Sequence, residues 1–500
     1  MHIASISSLH HEKKLHTSQV KVELLHSWRV FRQLCKALAR SDNFFTNLSL
    51  PPDKRRRRDW QNGGMKKILL TLGLVTVCVA NLLAGETLKL QLVPDREKVL
   101  KGQPQEVVVK IDLSAISDKR KAHRPPLNLA VVLDKSGSMR GAKLEKTKEA
   151  AMELVDRLTP NDIFSLVIFS DEATVLVPAQ KVTDKGAVKE KIESIEADGS
   201  TALYAGVKMG ADQLQEFYSG KRINRVILLS DGLANVGPSS PRALRRLGSD
   251  LSENGVSVTT IGVGDDYNED LMAGLAEASD ANYYYVNDTE KLPEIFAREL
   301  GGMLAVAARE VRIEITCPDG VQPLGFIGRS EKFEDQKAVI HLSQFTAGQD
   351  RYLMFRCRVN GDAPEIARVK ASYTDELNGG TTDEAEDVAK VRFTDDQSAA
   401  DKSLNSEVIA QKEIMLTAVA KAEAMVQADA GNYRQAATIL AAQGTVLNGV
   451  YGSASPAVQS QLRDELDNIN TFTNALENGT YSAGTRKAMQ IQSFNSRNSK

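Results

Sequence analysis

Three oxygen-bearing side chains alternate in Asp134-Lys135-Ser136-Gly137-Ser138, directly after the apolar run 127–133. A strand-to-helix turn with Gly137 lets Ser136 and Ser138 converge on one point, while Asp134 supplies negative charge at the strand tip. Such hard oxygen ligands suit Mg²⁺, which takes near-octahedral oxygen coordination, keeps several waters and rarely sits in an all-protein cage. The chemistry expected of this turn is cation binding with one coordination position left open. Catalysis finds less material. Beyond residue 64 the histidines are His123 and His341, which leaves no histidine cluster for zinc and no general base for a serine or cysteine nucleophile. The run His11-Glu12-Lys13-Lys14-Leu15-His16 spaces its histidines five apart, so they do not share a helical face as a zinc-protease pair would. The phosphate-binding glycine loop ending in Gly-Lys-Ser or Gly-Lys-Thr is absent, so the chain is not expected to be a nucleotide-driven motor itself. The acidic clusters Ser170-Asp171-Glu172 and Asp265-Asp266 read as solvated turns rather than as a second cation site.

The elements that must hold the turn follow from hydropathy. After Pro125-Pro126 the stretch Leu127-Asn128-Leu129-Ala130-Val131-Val132-Leu133 is almost continuously apolar, as a parallel strand buried on both faces is. A helix over 141–159 places Leu144, Thr147, Ala151, Leu154, Val155 and Leu158 on one face, and strand-like runs follow at Ile163–Phe169, 226–229 and 256–263 with helices between them. Alternating strands and helices with right-handed crossovers predict a doubly wound, mostly parallel sheet over 125–305, with ligands at the carboxyl ends of its strands.

Flanking segments alternate apolar and polar residues instead. Leu88, Leu90 and Leu92, then Val107, Val109, Ile111 and Leu113, precede the α/β region; the segments 311–317, 338–342, 351–359, 366–373 and 388–393 follow it. These predict a β-sandwich from 86–115 and 306–396, with the α/β domain inserted in it; tandem domains are the alternative. Residues 397–500 predict a small helical appendage. One stripe carries Val408, Met415, Val419, Ala422 and Val426; another carries Leu462, Leu466, Ile469, Phe472 and Leu476, opened by Ser455 as N-cap and Pro456 at the first position. The segment around Gly431-Asn432-Tyr433 resembles one tetratricopeptide-like hairpin, but no fixed period recurs. The last residues, 493–500, are expected to be loose.

The turn that opens this reading resembles a known family. Asp134-x-Ser136-x-Ser138 is similar to the metal-ion-dependent adhesion site of von Willebrand factor type A and integrin inserted domains, here in a bacterial envelope type of chain. Two further motif elements appear: Gly199-Ser200-Thr201-Ala202-Leu203 resembles the threonine loop, and Leu228-Leu229-Ser230-Asp231-Gly232 the aspartate after the fourth strand. Ile261-Gly262-Val263-Gly264 and Asn282-Tyr283-Tyr284-Tyr285-Val286 resemble the fifth and sixth strands. The resemblance implies that Ser136 and Ser138 ligate the ion directly, that Thr201 does so directly or through water, and that Asp134 and Asp231 act largely through waters. The ion would be Mg²⁺, Mn²⁺ or Ca²⁺, and its open position would take the Asp or Glu carboxylate of a protein partner. Thr201, by changing between direct and water-mediated coordination, is then a candidate switch. The function expected is a non-enzymatic, metal-dependent protein-binding module; the alternative is an assembly or chaperone subunit working with a separate ATPase.

The 500 residues suggest about three domains at roughly one per 150 residues. Residues 1–64 carry a net charge of +7 and the remainder −9, an acidic body that argues against a nucleic-acid partner. Met65-Lys66-Lys67, the apolar run 68–83 and Ala84-Gly85-Glu86 have the form of a secretory signal peptide over 65–84, with an uncleaved anchor as the alternative. Translation is accordingly expected to begin at Met65, with 1–64 a leader or mis-assigned start; a twin-arginine signal at Arg55 to Arg58 fits less well, being followed by Asp59-Trp60 and set apart from the apolar run. The mature protein is expected to be exported to the periplasm, the cell envelope or the medium. It would keep Cys317 and Cys357, as one disulfide or as two buried thiols.

Overall fold

A computed structural model describes residues 86–117, 124–362 and 364–499. The expected signal segment, Cys35, Cys78, His11, His16 and His123 lie outside the described residues.

Three antiparallel or short strands open the described chain: β1 (Leu88–Pro94), β2 (Lys98–Leu100) and β3 (Gln105–Ala115). The α/β domain then runs through β4 (Leu127–Asp134), α1 (Ala142–Arg157), β5 (Ile163–Phe169), β6 (Ala173–Lys181), α2 (Lys185–Glu193), α3 (Leu203–Gln215), β7 (Ile223–Ser230), α4 (Pro241–Glu253), β8 (Ser257–Val263), α5 (Glu269–Ala278), β9 (Tyr283–Val286) and α6 (Leu292–Leu304). Its six strands lie in the order β6-β5-β4-β7-β8-β9, parallel except for β6. All eight residues of the central β4 are buried. Leu127, Leu129, Val131 and Leu133 pack with α1 and α6 on one face, while Ala130 and Val132 pack with α3 and α5 on the other. This two-sided burial is why β4 reads as a continuous apolar run. The edge strand β6 carried no readable pattern, because an edge with few fully buried positions has no face for the core to select.

Strands β10 (Val306–Thr316), β11 (Val321–Phe326), β12 (Lys337–Thr346), β13 (Asp350–Val359), β14 (Glu365–Asp375), β15 (Thr381–Lys390) and β16 (Arg392–Thr394) follow. They join the opening strands in two facing sheets, β1-β3-β13-β11 and β12-β10-β14-β15. The decisive pairing is β3 with β13, from Gln105↔Val359 to Ser114↔Asp350, which puts strands from either side of the α/β domain next to each other in one sheet. The segment expected at 388–393 needs correction. β15 ends at Lys390, the chain bends at the buried Val391, and β16 pairs instead with β2, so one apparent strand is two pieces in different sheets. Cys317 and Cys357 share the sandwich core as free thiols; burial pushes the Cys317 thiol up to about 12 and raises Cys357 as well.

The chain closes with α7 (Gln397–Asp401), α8 (Ser406–Asp429), α9 (Tyr433–Tyr451), α10 (Pro456–Glu477) and α11 (Ala483–Asn498). Ser455 caps α10 by accepting from the Val458 amide, with Pro456 next. The expected stripe on α8 splits. Val408 and Met415 pack on Val108, Ile327 and Met354 of the sandwich sheet, but Val419 and Val426 are exposed. The bundle-facing side is Ala410, Ile414, Ala424, Met425 and Ala428. A helix of 24 residues, about 36 Å long, outruns the sheet that its first half covers, and apolar residues around most of its circumference give periodicity no single face to find. Accordingly Val426→Ser should shift stability by less than about 0.5 kcal/mol. Its neighbour Met425→Ala should cost about 2 kcal/mol or more in matched urea melts.

The residues expected to be loose are helical through Asn498. Phe494 is buried in the α/β core, edge-on to Tyr283 with ring centroids 5.7 Å apart, while Met489 on the same helix is buried in the bundle core. Basic residues tie α11 to the acidic α5: Arg486 to Glu269 and Asp270, Lys487 to Glu269, and Arg497 to Glu277. The helical region is therefore more than an appendage, because α11 joins the bundle to the α/β domain through contacts between residues some 200 positions apart, which local pattern does not reveal.

Candidate metal centre

At the tip of β4 the chain turns at once. The Lys135 amide still donates to Phe169 O of β5 (2.9 Å), and Gly137–Met139 form a single 3₁₀ turn with Met139 buried beneath it. Asp134 Oδ1 accepts from the Ser136 amide (2.7 Å) and Oδ2 from Ser230 Oγ at the tip of β7 (2.5 Å). Ser136 Oγ and Ser138 Oγ lie 3.1 Å apart, and Ser138 Oγ donates to Asp231 Oδ1 (2.7 Å).

The threonine loop closes over this turn. Gly199 accepts from the Gly137 amide (3.0 Å) and has φ +70°; a Cβ there would meet Asp171 Oδ2 at 2.6 Å. Asp171 in turn accepts from the Ser200 amide, so this acidic residue braces the loop. Thr201 is held through its backbone: its amide donates to Asn235 Oδ1 (2.9 Å) and its carbonyl accepts from the Asn235 amide (3.2 Å). A Cβ on Gly232 would lie 2.8 Å from Thr201 Oγ1 and 3.6 Å from Asp134 Oδ2, which places hydroxyl and carboxylate around the same small space. The structure thus brings Asp134, Ser136, Ser138, Thr201 and Asp231 together at the carboxyl end of the sheet.

Asp134 and Asp231 are fully buried. Burial pushes the Asp134 carboxyl up to about 6, against hydrogen bonds from Ser136 and Ser230 that lower it, with Asp231 adding to the rise. The exposed Asp198 is held below the usual range by its hydrogen bond with Lys135. Three participants were given no role by the sequence, although Ser230 stands beside Asp231 in its motif. Ser230 orients Asp134, Asn235 anchors Thr201, and the Lys143 ammonium ion-pairs with Asp231 Oδ2.

The donor set fits a small hard cation. Two ligands on adjacent corners of an octahedron with bonds of about 2.1 Å are about 3 Å apart, close to the Ser136–Ser138 spacing. All donors are oxygens, and among the described residues no cluster of three or more His, Cys, Asp or Glu is placed to form a cage. A hydroxyl-rich site with few carboxylates leaves room for water and for a ligand from outside.

Comparison with known proteins identifies the domain that carries these residues. Residues 128–298 match the family of von Willebrand factor type A domains. The uncharacterized protein YfbK of Escherichia coli (strain K12) is 27% identical over 282 residues, 55% of this chain and 48% of that protein. An uncharacterized protein of Synechocystis is 30% identical over 284 residues, 53% of this chain and 66% of its own length. The chain thus spans about half of one bacterial relative and just under two thirds of the other. The solved structure of a von Willebrand factor type A protein from Catenulispora acidiphila shares the fold, with a TM-score of 0.62 and 18% identity over 77% of this chain and 90% of that one.

Proposed function

Because residues 128–298 are a von Willebrand factor type A domain, we propose that the chain is a metal-dependent protein-binding module whose cation captures an acidic residue of a partner. Ser136 and Ser138 would hold the ion directly, Thr201 directly or through water, and Asp134 and Asp231 through waters. The observation that carries this reading is the run of contacts Ser136 Oγ, Ser138 Oγ and Asp231 Oδ1 at 3.1 and 2.7 Å, with a second buried carboxylate beside it. When bound, the ion supplies a directional contact for an incoming carboxylate. The protein's own hydroxyls and carboxylates would hold the ion and its waters.

Mg²⁺ is the ion the hydroxyl set suits best, with Mn²⁺ and Ca²⁺ as substitutes. The signal-like segment at Met65 supports work outside the cytoplasm. Titration of the full chain with Mg²⁺ in a calorimeter tests the reading. Saturable binding by the unaltered protein, weakened at least about tenfold in Ser136→Ala, is expected, since a direct ligand is lost. Equal binding by both proteins would sink the proposal.

A further inference from the structure

Lys143 stands in the first turn of α1, and its ammonium pairs with Asp231 Oδ2, the oxygen that Ser138 leaves free. The side chain passes the tip of β8: Lys143 Nζ lies 3.5 Å from the position a Cβ would take on Gly264, an ordinary van der Waals distance. Among the described residues no other cation is within ion-pair distance of either buried carboxylate. Lys135 is engaged by Asp198, and Asp171 by the Ser200 amide.

The charges decide what the centre can accept. Asp134 and Asp231 contribute two negative charges in a buried setting, and Lys143 returns one positive charge. A divalent cation added without Lys143 would neutralise the centre. With Lys143 beside it, the loaded centre carries one unbalanced positive charge. Coulomb forces between neighbours at this depth are large enough to shift affinities by an order of magnitude.

Resting on the metal-binding reading above, we propose that Lys143 trades cation affinity for carboxylate affinity: it repels the divalent ion, and it leaves the loaded centre with the positive charge that draws a partner's Asp or Glu. In the metal-free protein the same ammonium stabilises Asp231, so the site does not collapse while it waits for an ion. A partner matched to this centre presents a single carboxylate, which brings the buried charges to zero.

The test uses the full chain with Lys143→Met, which keeps the stem but removes the charge, and Lys143→Arg, which keeps the charge. Mg²⁺ is titrated in chloride and again with acetate replacing chloride at constant ionic strength. Lys143→Met should bind Mg²⁺ about tenfold more tightly in chloride. By linkage, acetate should tighten Mg²⁺ binding by the unaltered protein, and that gain should largely vanish in Lys143→Met and persist in Lys143→Arg. The melting temperature of the metal-free protein should fall in Lys143→Met and hold in Lys143→Arg. Lys143→Gln, able to hydrogen-bond Asp231, replaces the methionine variant if that fails to fold. Mg²⁺ binding by the uncharged variant that is unchanged or weaker, or an undiminished acetate effect, would overturn the proposal while leaving the metal site standing. Absence of Mg²⁺ binding in the unaltered protein would overturn both.

Discussion

Asp134→Asn is expected to fold, and to lose the stabilisation by Mg²⁺ that the unaltered protein shows. An ion that binds only the native state at about 100 times its Kd adds about 2.7 kcal/mol, which for a domain of this size is roughly 5–10 °C in melting temperature. The asparagine keeps an acceptor for the Ser136 amide or Ser230 Oγ, so the turn should survive while the charge that holds the ion's waters is gone.

The metal-free comparison runs the other way. Burial lifts the native Asp134 carboxyl to about 6, above its unfolded value near 3.9. A carboxyl that binds its proton more tightly when folded costs the native state most above pH ~6, by up to about 3 kcal/mol, and the cost fades as pH falls toward the unfolded value. With a chelator at pH ~7.5, Asp134→Asn should therefore melt at or above the unaltered protein, and the difference should close by pH ~4. An undiminished Mg²⁺ shift in the variant would argue that Asp134 has no part in holding the ion.

Glu299→Ala is expected to cost about 3–5 kcal/mol, the usual cost of breaking a buried ion pair by removing one partner. Glu299, on α6, accepts from Arg225 Nη1 (3.2 Å), Thr259 Oγ1 (2.6 Å), Asn282 Nδ2 (2.8 Å) and Tyr284 OH (3.0 Å). Arg225 is 3% exposed, its Nε is already buried without an acceptor, and its Nη2 reaches Gln344 of the sandwich at 3.0 Å. Removing the carboxylate leaves that guanidinium charged and uncompensated between the two domains. The double variant Arg225→Met/Glu299→Leu should recover most of the loss, because well-packed apolar residues can replace a buried pair at little cost. Urea denaturation reads both effects, and a loss below about 1 kcal/mol in Glu299→Ala would show that the site rehydrates. Mg²⁺ binding should hardly change, since Arg225 lies near the start of β7 and the metal centre at its end.

The α/β sheet was legible because its central strand is buried on both faces: a run such as 127–133 has few other uses in a chain this size, and the oxygen-rich turn after it stands where such sheets bind ligands. The sandwich strands were legible for the complementary reason, since alternation along Val107, Val109, Ile111 and Leu113 reports one buried face. Residues 388–393 misled because alternation continues through the bend at Val391 while the pairing partner changes. On α8 the residues Val419 and Val426 are apolar and exposed, and nothing in their spacing separates them from the buried Val408 and Met415.

What the sequence determined by itself was everything that repeats within one element or one turn: the apolar strand, the alternating strands, the capped helix at Ser455-Pro456, and the spacing of Asp134, Ser136 and Ser138. Tertiary structure alone decided which distant groups meet. It set β3 beside β13, brought Phe494 and the basic face of α11 to the α/β domain, placed Arg225 against Glu299, and delivered Lys143 to Asp231. The reason is physical. Periodicity records how one segment divides between core and water, whereas a buried charge takes whichever partner the packing of the whole chain puts within reach.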